Sequence, residues 1–193
     1  MGETQGELGG HPDRLRWNAK YADYEGRPFA PHPLADAALA MALPAGPVLD
    51  LACGPSGSAL LAAADGRRVT AVDVSDVALE LLDREARRRG VRDLLTLVHA
   101  DLETWRAETT FAVVLCTGFW DRAVFEGVVG AVMPAGALGW EAFTMDARNE
   151  RPRLPAEWCL EAGEPASLLP GDFTVVRQEE VPGGKRRMLA RRA

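Results

Sequence analysis

The stretch VLDLACGPSGSALLAAADGRRVTAVDVS, residues 48–75, decides the fold. Its apolar run reaches Asp50, breaks at the turn GPSG of residues 54–57, and continues into small residues with helical character. A strand that enters a glycine-containing turn and then a helix presents backbone N–H groups to a ligand. The stretch therefore predicts a ligand-binding turn at the edge of an α/β sheet, and the question is which ligand.

Strand and helix patterns alternate on both sides of this stretch. Apolar runs predict five strands, at residues 47–51, 68–74, 95–100, 111–117 and 137–143. Helical patterns lie between them at residues 58–64, 76–89 and about 122–132. Ser75 is placed as the N-cap of the second of these helices, and Gly90 as its stop. This order predicts an α/β fold with a doubly wound, mostly parallel sheet covered on both faces.

The two ends of the chain depart from this alternation. The extended runs 173–181 and 185–191 are joined by VPGGK, which is a hairpin signal and predicts that the sheet ends in an antiparallel pair. Helical patterns occupy DRLRWNAKYADYEG and PLADAALAMAL ahead of the first strand. The polar, proline-containing segment 144–158 predicts a loop.

Length and composition favour a single domain. The chain has 193 residues, 47% of them hydrophobic, which is enough for one core and too little for two ordinary domains. We therefore expect one domain over residues 1–193, with a flexible tail at 1–10 and an N-terminal helical segment at 11–45. The tail has no apolar core of a signal peptide, and no apolar run reaches the roughly 18 to 20 residues that span a bilayer.

Charge and cysteine usage limit the partners. A net charge of −6 and a pI near 5.2 disfavour nucleic acid and anionic membranes as partners. The three cysteines, Cys53, Cys116 and Cys159, are widely spaced and form no CxxC pair, so neither a disulfide framework nor a metal site is predicted. A reducing cytoplasmic environment fits this pattern best.

Three aspartates follow successive strands. Asp50, Asp73 and Asp101 each stand at the carboxyl end of a predicted strand, the edge where open α/β sheets bind ligands. Any one of them could instead be an N-cap for the next helix, but three in succession beside a glycine turn favour a ligand. Asp73 suits the two hydroxyls of a ribose, and Asp101 the exocyclic amine of an adenine.

Asp50 bears on the choice between two nucleotide-like ligands. An acidic residue beside the pyrophosphate of a dinucleotide would repel it, whereas a carboxylate at the end of the first strand suits the α-ammonium group of an amino acid. The position therefore favours S-adenosylmethionine over NAD. A dinucleotide-dependent oxidoreductase and a non-catalytic cofactor-binding module remain the alternatives.

The motifs together resemble the class I S-adenosylmethionine-dependent methyltransferases. VLDLACGPSG is similar to the first motif of that family, AVDVS to its ribose-binding motif, HADL to its adenine-side motif, FAVVLCTGFWDR to its fourth strand and MPAGAL to the turn before its fifth. The resemblance covers about residues 46–143 and agrees with the closing hairpin. It implies a seven-stranded Rossmann-like sheet, S-adenosylmethionine as cofactor and S-adenosylhomocysteine as product.

The resemblance also implies cofactor-binding residues. Position by position they are Asp50, Ala52, Cys53, Gly54, Asp73, Val74, Asp101, Leu102, Cys116 and Thr117. One departure matters, because the family has a second glycine two positions after the first. Here Ser56 stands at that position and Gly57 follows, so either residue could take the role.

The leading segment WNAKY is similar to a small subgroup that contains tellurite-resistance and thiopurine methyltransferases. In that subgroup an aromatic-rich helix closes over the cofactor, which implies that Trp17 and Tyr21 contact the cofactor and that Phe29 contacts the substrate. The alternative is an amphipathic helix that packs the same aromatic rings into the core.

Substrate residues are sought in the loops after the fourth and fifth strands. Arg122, Thr144 and Arg148 are the candidates, with Arg122 placed to bind an anionic acceptor; a surface ion pair at a helix start is the alternative. Methyl transfer needs alignment more than a dedicated catalytic group, so no catalytic residue is assigned. The short segment between the fifth strand and the hairpin favours a small-molecule acceptor, and the subgroup resemblance implies one that offers sulfur, selenium or oxygen.

Overall fold

The computed structural model describes residues 8–24 and 26–193. Its helices are α1 (Pro12–Tyr21), α2 (Pro33–Leu39), α3 (Gly57–Ala64), α4 (Asp76–Arg88), α5 (Arg122–Val129) and α6 (Ala147–Glu150). Its strands are β1 (Val48–Leu51), β2 (Val69–Asp73), β3 (Leu95–His99), β4 (Phe111–Thr117), β5 (Val132–Thr144), β6 (Cys159–Leu160), β7 (Phe173–Val181) and β8 (Lys185–Arg192).

The strands form one sheet in the order β3-β2-β1-β4-β5-β8-β7, and β6 pairs with the end of β5. Strands β1 to β5 are parallel, whereas β8 is antiparallel to both β5 and β7. The sheet is therefore the doubly wound, mostly parallel sheet with a closing hairpin that the sequence predicts. Its strand order reverses between β1 and β4, which opens a crevice at their carboxyl ends.

Two apolar clusters cover the two faces of the sheet. On one face α5 packs Phe125 against Trp140 of β5, and their ring centroids are 5.0 Å apart. On the other face α2, α3 and α4 bury Leu34, Leu60 and Leu82. Because both faces are covered, the central strands consist almost entirely of buried residues, and ligands reach the sheet at its carboxyl edge.

Two predicted boundaries were wrong, both near residue 132. Helix α5 ends at Val129, three residues earlier than expected, and β5 begins at Val132 rather than at residue 137. The pairing of β5 with β4 shifts register between Phe111 and Val113, and Ala135 has a φ of 60°. This bulge interrupts the apolar pattern and hid the first part of β5 from a prediction based on that pattern.

The segment 144–158 is less regular than a strand or long helix, as expected, but it is not featureless. It contains α6 and a short 3-10 helix at Ala156–Trp158, and it leads directly into β6. The two-residue β6 was not predicted. No helix among the described residues is long and apolar enough to cross a membrane.

The predicted flexible tail at 1–10 falls mainly on residues 1–7, which lie outside the described residues. Residues 8–10 form a turn in which Leu8 is buried. Helix α1 follows, and none of its residues is buried. The aromatic rings of α1 therefore do not enter the core, in contrast to the alternative in which α1 packs as an ordinary amphipathic helix.

Candidate functional site

A cavity of about 290 Å³, called here the main cavity, lies at the carboxyl ends of the parallel strands. Residues from β1 to β5, from α1 and from the start of β8 line it: His11, Asp13, Trp17, Lys20, Tyr21, Ala52, Asp73, Val74, Ala100, Asp101, Leu102, Glu103, Thr117, Gly118, Phe119, Phe143 and Lys185. Its floor is the crevice beside β1, and α1 forms one of its walls. Its position is the one at which open α/β sheets bind ligands.

The turn after β1 is shaped by close approaches. Ala52 has a φ of 47° and Gly54 a φ of 57°, both in the left-handed region. A Cβ on Gly54 would lie 2.8 Å from the Tyr21 hydroxyl oxygen, so only glycine lets Tyr21 approach this turn. A Cβ on Gly57 would lie 2.3 Å from backbone atoms of Ala30, which makes Gly57 a packing requirement.

Ser56 stands where the similar motif has its second glycine, and its side chain gives it a different role. Its hydroxyl oxygen accepts a hydrogen bond from the Ala59 N–H (2.9 Å) and caps α3. The same hydroxyl donates to the Asp50 carboxyl at 2.5 Å. Ser56 thus joins the end of β1 to the start of α3 by its side chain.

Asp50 is buried behind the turn, and it does not line the main cavity. Burial raises its pKa to about 7, although the Ser56 hydrogen bond acts in the opposite direction. Nearby Asp73 raises it further. The observed role of Asp50 is to hold the turn, and any contact with a ligand would have to pass through the backbone or a water molecule.

Asp73 at the end of β2 lines the main cavity and is buried. Its carboxylate accepts the Gly54 N–H at 2.7 Å and the Ser75 N–H at 2.7 Å. Burial raises its pKa, while these backbone hydrogen bonds lower it. The carboxylate keeps free lone pairs and is held rigidly, so it can accept hydroxyl hydrogens from a ligand.

Asp101 follows β3 and also lines the main cavity. One of its oxygens accepts the Glu103 N–H (3.1 Å), and the other lies 3.5 Å from Nε2 of His11 on the N-terminal side of α1. The Nδ1 atom of His11 is buried and has no hydrogen-bond partner among the described residues. A polar ligand atom beside His11 would satisfy it.

Helix α1 is attached to the sheet by polar contacts. Arg14 donates to Asp76 at 2.8 Å, and Asn18 donates to the same carboxylate at 2.7 Å. Asn18 also accepts from the hydroxyl of Ser75 at 2.6 Å. The partners lie at the start of α4, immediately after Asp73, so the contacts that position α1 adjoin the ligand-facing end of β2.

Two lysines line the side of the main cavity formed by α1 and β8. Lys20 lies 4.0 Å from the centroid of the Trp17 ring, and burial together with nearby cations lowers its pKa. Lys185 donates to Glu141 at 3.0 Å and lies 5.3 Å from the centroid of the Phe143 ring. These ammonium groups suit a carboxylate, whereas the Asp73 and Asp101 carboxylates suit hydroxyl and amine donors.

A second cavity of about 190 Å³, called here the aromatic cavity, adjoins the main cavity. The two share Asp13, Trp17, Glu103, Gly118, Phe119 and Phe143 as lining residues. Beyond these, the aromatic cavity is lined by Arg16, Trp120, Asp121, Leu154, Glu157 and Trp158. It opens between α1, the loop after β4 and the segment after α6.

The structure brings eight of the predicted cofactor residues together. The main cavity is lined by Trp17, Tyr21, Ala52, Asp73, Val74, Asp101, Leu102 and Thr117. Asp50, Cys53, Gly54 and Cys116 lie behind its wall and do not line it. The Cys116 side chain is fully buried, with its Sγ 3.7 Å from the Phe119 carbonyl oxygen.

The four predicted substrate residues line neither cavity. Arg122 pairs with Glu164 and, at 3.5 Å, with Glu161. Thr144 is buried and donates to the Gly184 carbonyl, and Arg148 donates to the Leu154 carbonyl. Phe29 lies on the other side of Tyr21, edge-on to Tyr24 at 5.5 Å.

Sequence reasoning missed several lining residues, including His11, Lys20, Glu103, Phe119, Phe143 and Lys185. Glu103 and Phe119 stand two positions beyond Asp101 and Thr117, so the strand-end rule could have been extended to them. His11, Lys20 and Lys185 carry no such local signal, because the docking of α1 and the pairing of β8 bring them to the cavity.

Comparison with known proteins finds a similar domain and similar folds. Residues 48–136 match a family model described as a methyltransferase domain. No curated protein matches the chain by sequence. Among solved structures, TehB from Haemophilus influenzae superposes with a TM-score of 0.69 at 17% identity, covering 92% of this chain and 67% of that one.

Two further structures share the fold. One, reported for the conversion of a disulfide bond into a thioacetal group during echinomycin biosynthesis, gives a TM-score of 0.66 at 19% identity over 93% of this chain and 91% of that one. Coclaurine N-methyltransferase bound to N-methylheliamine and SAH superposes with a TM-score of 0.63 at 15% sequence identity, covering 91% of this chain and 72% of that one. Residues 48–136 of this chain therefore match a methyltransferase domain, and they lie within a fold that is similar to that of a solved methyltransferase.

Proposed function

We propose that this chain transfers a methyl group from S-adenosylmethionine to a small-molecule nucleophile that offers sulfur, selenium or oxygen. The observation that carries the proposal is the pair of adjoining cavities. The main cavity has ligand-facing carboxylates at the ends of β2 and β3, and it meets an aromatic cavity where β4 and β5 end. A donor and an acceptor bound in the two cavities would meet beside Gly118 and Phe119.

The residues of the main cavity fit the cofactor. Asp73 is placed to accept the ribose hydroxyls, and Asp101 with Leu102 to frame the adenine. The unpartnered Nδ1 of His11 lies on the adenine side as well. Lys20, which lines the same cavity from α1, supplies a positive charge for the carboxylate of the methionine part.

When bound, the cofactor supplies a methyl group on a sulfonium, and an acceptor lone pair forms the new bond to that methyl carbon as the methyl–sulfonium bond breaks. The protein aligns the two reactants and excludes water. Trp17 and Phe143 line both cavities, so they fix the distance between donor and acceptor. An acceptor that is already ionised at neutral pH, such as an aryl thiolate or a selenolate, needs no general base, whereas a phenol or alcohol must lose its proton to a base or to water.

Titration calorimetry with S-adenosylmethionine and S-adenosylhomocysteine tests the cofactor assignment, with NADH as the competing ligand. Asp73→Ala should weaken binding of both by about 1–3 kcal/mol, because charge-assisted hydrogen bonds to the ribose are lost. Asp65→Ala, at the exposed C-cap of α3, is the matched control and should leave the affinity unchanged.

The thermal unfolding of Asp73→Ala must be recorded alongside, since Asp73 also holds the Gly54 and Ser75 N–H groups. A folded variant with full affinity would remove Asp73 from the ribose site. Binding of NADH in place of both sulfur-containing ligands would replace the methyltransferase proposal with an oxidoreductase.

A further inference from the structure

We infer that the aromatic cavity selects acceptors in which a flat ring carries a cationic group, such as an arylalkylammonium. The inference deepens the proposed function and rests on it, because it takes the aromatic cavity as the acceptor site. It concerns recognition and leaves the reacting atom as proposed above.

The shape of the cavity favours a ring. Its aromatic side chains are Trp17, Phe119, Trp120, Phe143 and Trp158. They come from α1, from the loop after β4, from β5 and from the segment after α6, so aromatic surfaces enclose the space from several directions. Such walls offer apolar area and ring faces to a flat ligand at small entropic cost.

The charge of the cavity favours a cation. Four carboxylates line it, those of Asp13, Glu103, Asp121 and Glu157, against the single guanidinium of Arg16. Partial burial and the nearby Asp101 and Asp121 carboxylates raise the pKa of Glu103. These negative charges are therefore close enough to repel one another, and a bound cation would relieve that repulsion.

The side chain of Arg16 shows that two of the rings accept a cation. Its guanidinium carbon lies 4.4 Å from the centroid of the Trp158 ring and 5.0 Å from that of Trp17. Nη1 of Arg16 lies 3.6 Å from Oδ1 of Asp13, so the Asp13 carboxylate balances the charge of the guanidinium. Glu103 and Glu157 form no ion pair among the described residues, and Asp121 is engaged by the Val124 N–H at the start of α5 (2.8 Å) but by no cation. These three carboxylates remain to balance the charge of a ligand, and an anionic acceptor would face all three.

The charges of the two cavities differ in a way that separates donor and acceptor. Lys20 and Lys185 line the main cavity and do not line the aromatic cavity. A carboxylate is therefore favoured on the α1 and β8 side of the main cavity, and a cation in the aromatic cavity. Arg122, which the sequence suggested for an anionic acceptor, is paired with Glu164 and lies outside both.

Three thiols that share a ring and differ in charge test the inference: p-mercaptophenethylamine, p-thiocresol and p-mercaptophenylacetate. Release of S-adenosylhomocysteine from the full chain gives kcat/KM for each. We expect the amine to exceed the carboxylate by about tenfold, with p-thiocresol between them. Quenching of tryptophan fluorescence by each thiol, without cofactor, measures the same preference independently of turnover.

Two variants separate charge from shape. The double variant Glu103→Gln, Glu157→Gln removes two carboxylates of the aromatic cavity and should lower the preference for the amine over p-thiocresol, measured as the ratio of their kcat/KM values, about threefold to tenfold. Trp158→Ala should raise the KM of all three thiols, since it removes a wall. Glu126→Gln, an exposed glutamate of α5 outside both cavities, should change none of them.

The outcomes distinguish the two proposals. Absence of S-adenosylhomocysteine binding and of turnover with every thiol would defeat the proposed function. Turnover or fluorescence binding with equal preference for the three thiols, or with preference for the carboxylate, would overturn the cation selectivity and leave the methyltransferase proposal standing. A double variant that loses p-thiocresol as strongly as the amine would also overturn it.

Discussion

Ala52 is a residue at which this chain stores backbone strain beside the main cavity. Its φ of 47° places an L-residue in the left-handed region, and its side chain lines the main cavity. A residue with a Cβ in that region costs about 1–2 kcal/mol relative to a right-handed conformation. Strain at a site is retained only when the surrounding structure fixes it, and here the sheet on one side and Gly54 on the other do so.

Ala52→Gly should therefore stabilise the protein. Glycine adopts the left-handed region without penalty, and the gain outweighs the added freedom of the unfolded chain, so we expect an increase of about 0.5–1 kcal/mol in the free energy of unfolding. Urea denaturation measures it. Ala64→Gly, an exposed helical position in α3, should change stability by a similar amount in the opposite direction. A loss of stability in Ala52→Gly would show that the methyl group contributes more than its strain costs.

Helix α1 is attached to the rest of the fold by polar contacts and not by buried side chains. None of its residues is buried, and Leu15 is 54% exposed. Its polar contacts with the start of α4 run from Arg14 and Asn18 to Asp76, and from Asn18 to Ser75. Such an element should open at lower free energy than the sheet, and it covers the main cavity. We propose that α1 acts as a lid whose closure adds to cofactor affinity.

Asn18→Ala tests the lid. The change removes hydrogen bonds to Asp76 and Ser75 but raises intrinsic helix propensity, so α1 itself is not weakened. We expect S-adenosylhomocysteine to bind about three- to tenfold more weakly, as the loss of about 1 kcal/mol predicts, and amide exchange in α1 to accelerate. Leu15→Ala on the same helix is the control and should alter neither. Unchanged affinity together with faster exchange would separate α1 from cofactor binding.

The sequence predicts the site residues at strand ends better than those that long-range contacts bring to the cavities. Strand ends lie at one edge of a parallel sheet by topology alone, so the strand pattern was enough to place Asp73 and Asp101 together. Lys185 could not be placed in this way, because it reaches the cavity through the antiparallel pairing of β8 with β5. Trp158 reaches the aromatic cavity through the irregular segment after α6. Long-range contacts of this kind have no periodic signal in the local sequence.

At the scale of the whole molecule, Glu141 joins three separate parts of the chain. Its carboxylate lies 3.2 Å from Nε2 of His32 ahead of α2, 3.0 Å from Nζ of Lys185 and 2.7 Å from Arg187 in β8. Only 2% of Glu141 is exposed. Burial acts to raise its pKa, but the three hydrogen-bonding partners prevail and lower it from 4.5 to about 2.

Because folding lowers the pKa of Glu141, the free energy of unfolding depends on pH. A carboxylate whose pKa is lower in the folded than in the unfolded state contributes stability that is fully present above pH 4.5 and is lost as the pH falls toward 2. Glu141→Gln keeps the size of the side chain but leaves Lys185 and Arg187 without their buried counter-charge. We expect it to lower the free energy of unfolding by about 2–3 kcal/mol at neutral pH, below the range for fully buried pairs because both cations are partly exposed.

Denaturation of wild type and Glu141→Gln across pH 2 to 7 isolates this contribution, since the other carboxylates are common to both proteins. The difference in the free energy of unfolding should be constant above about pH 5 and shrink steadily below it, as wild-type Glu141 becomes protonated and loses its charge. Glu180→Gln, which removes an exposed partner of Arg186 in the same hairpin, should cost under about 1 kcal/mol. A difference between wild type and Glu141→Gln that stayed constant down to pH 2 would mean that the three-part junction stabilises the fold by packing rather than by charge.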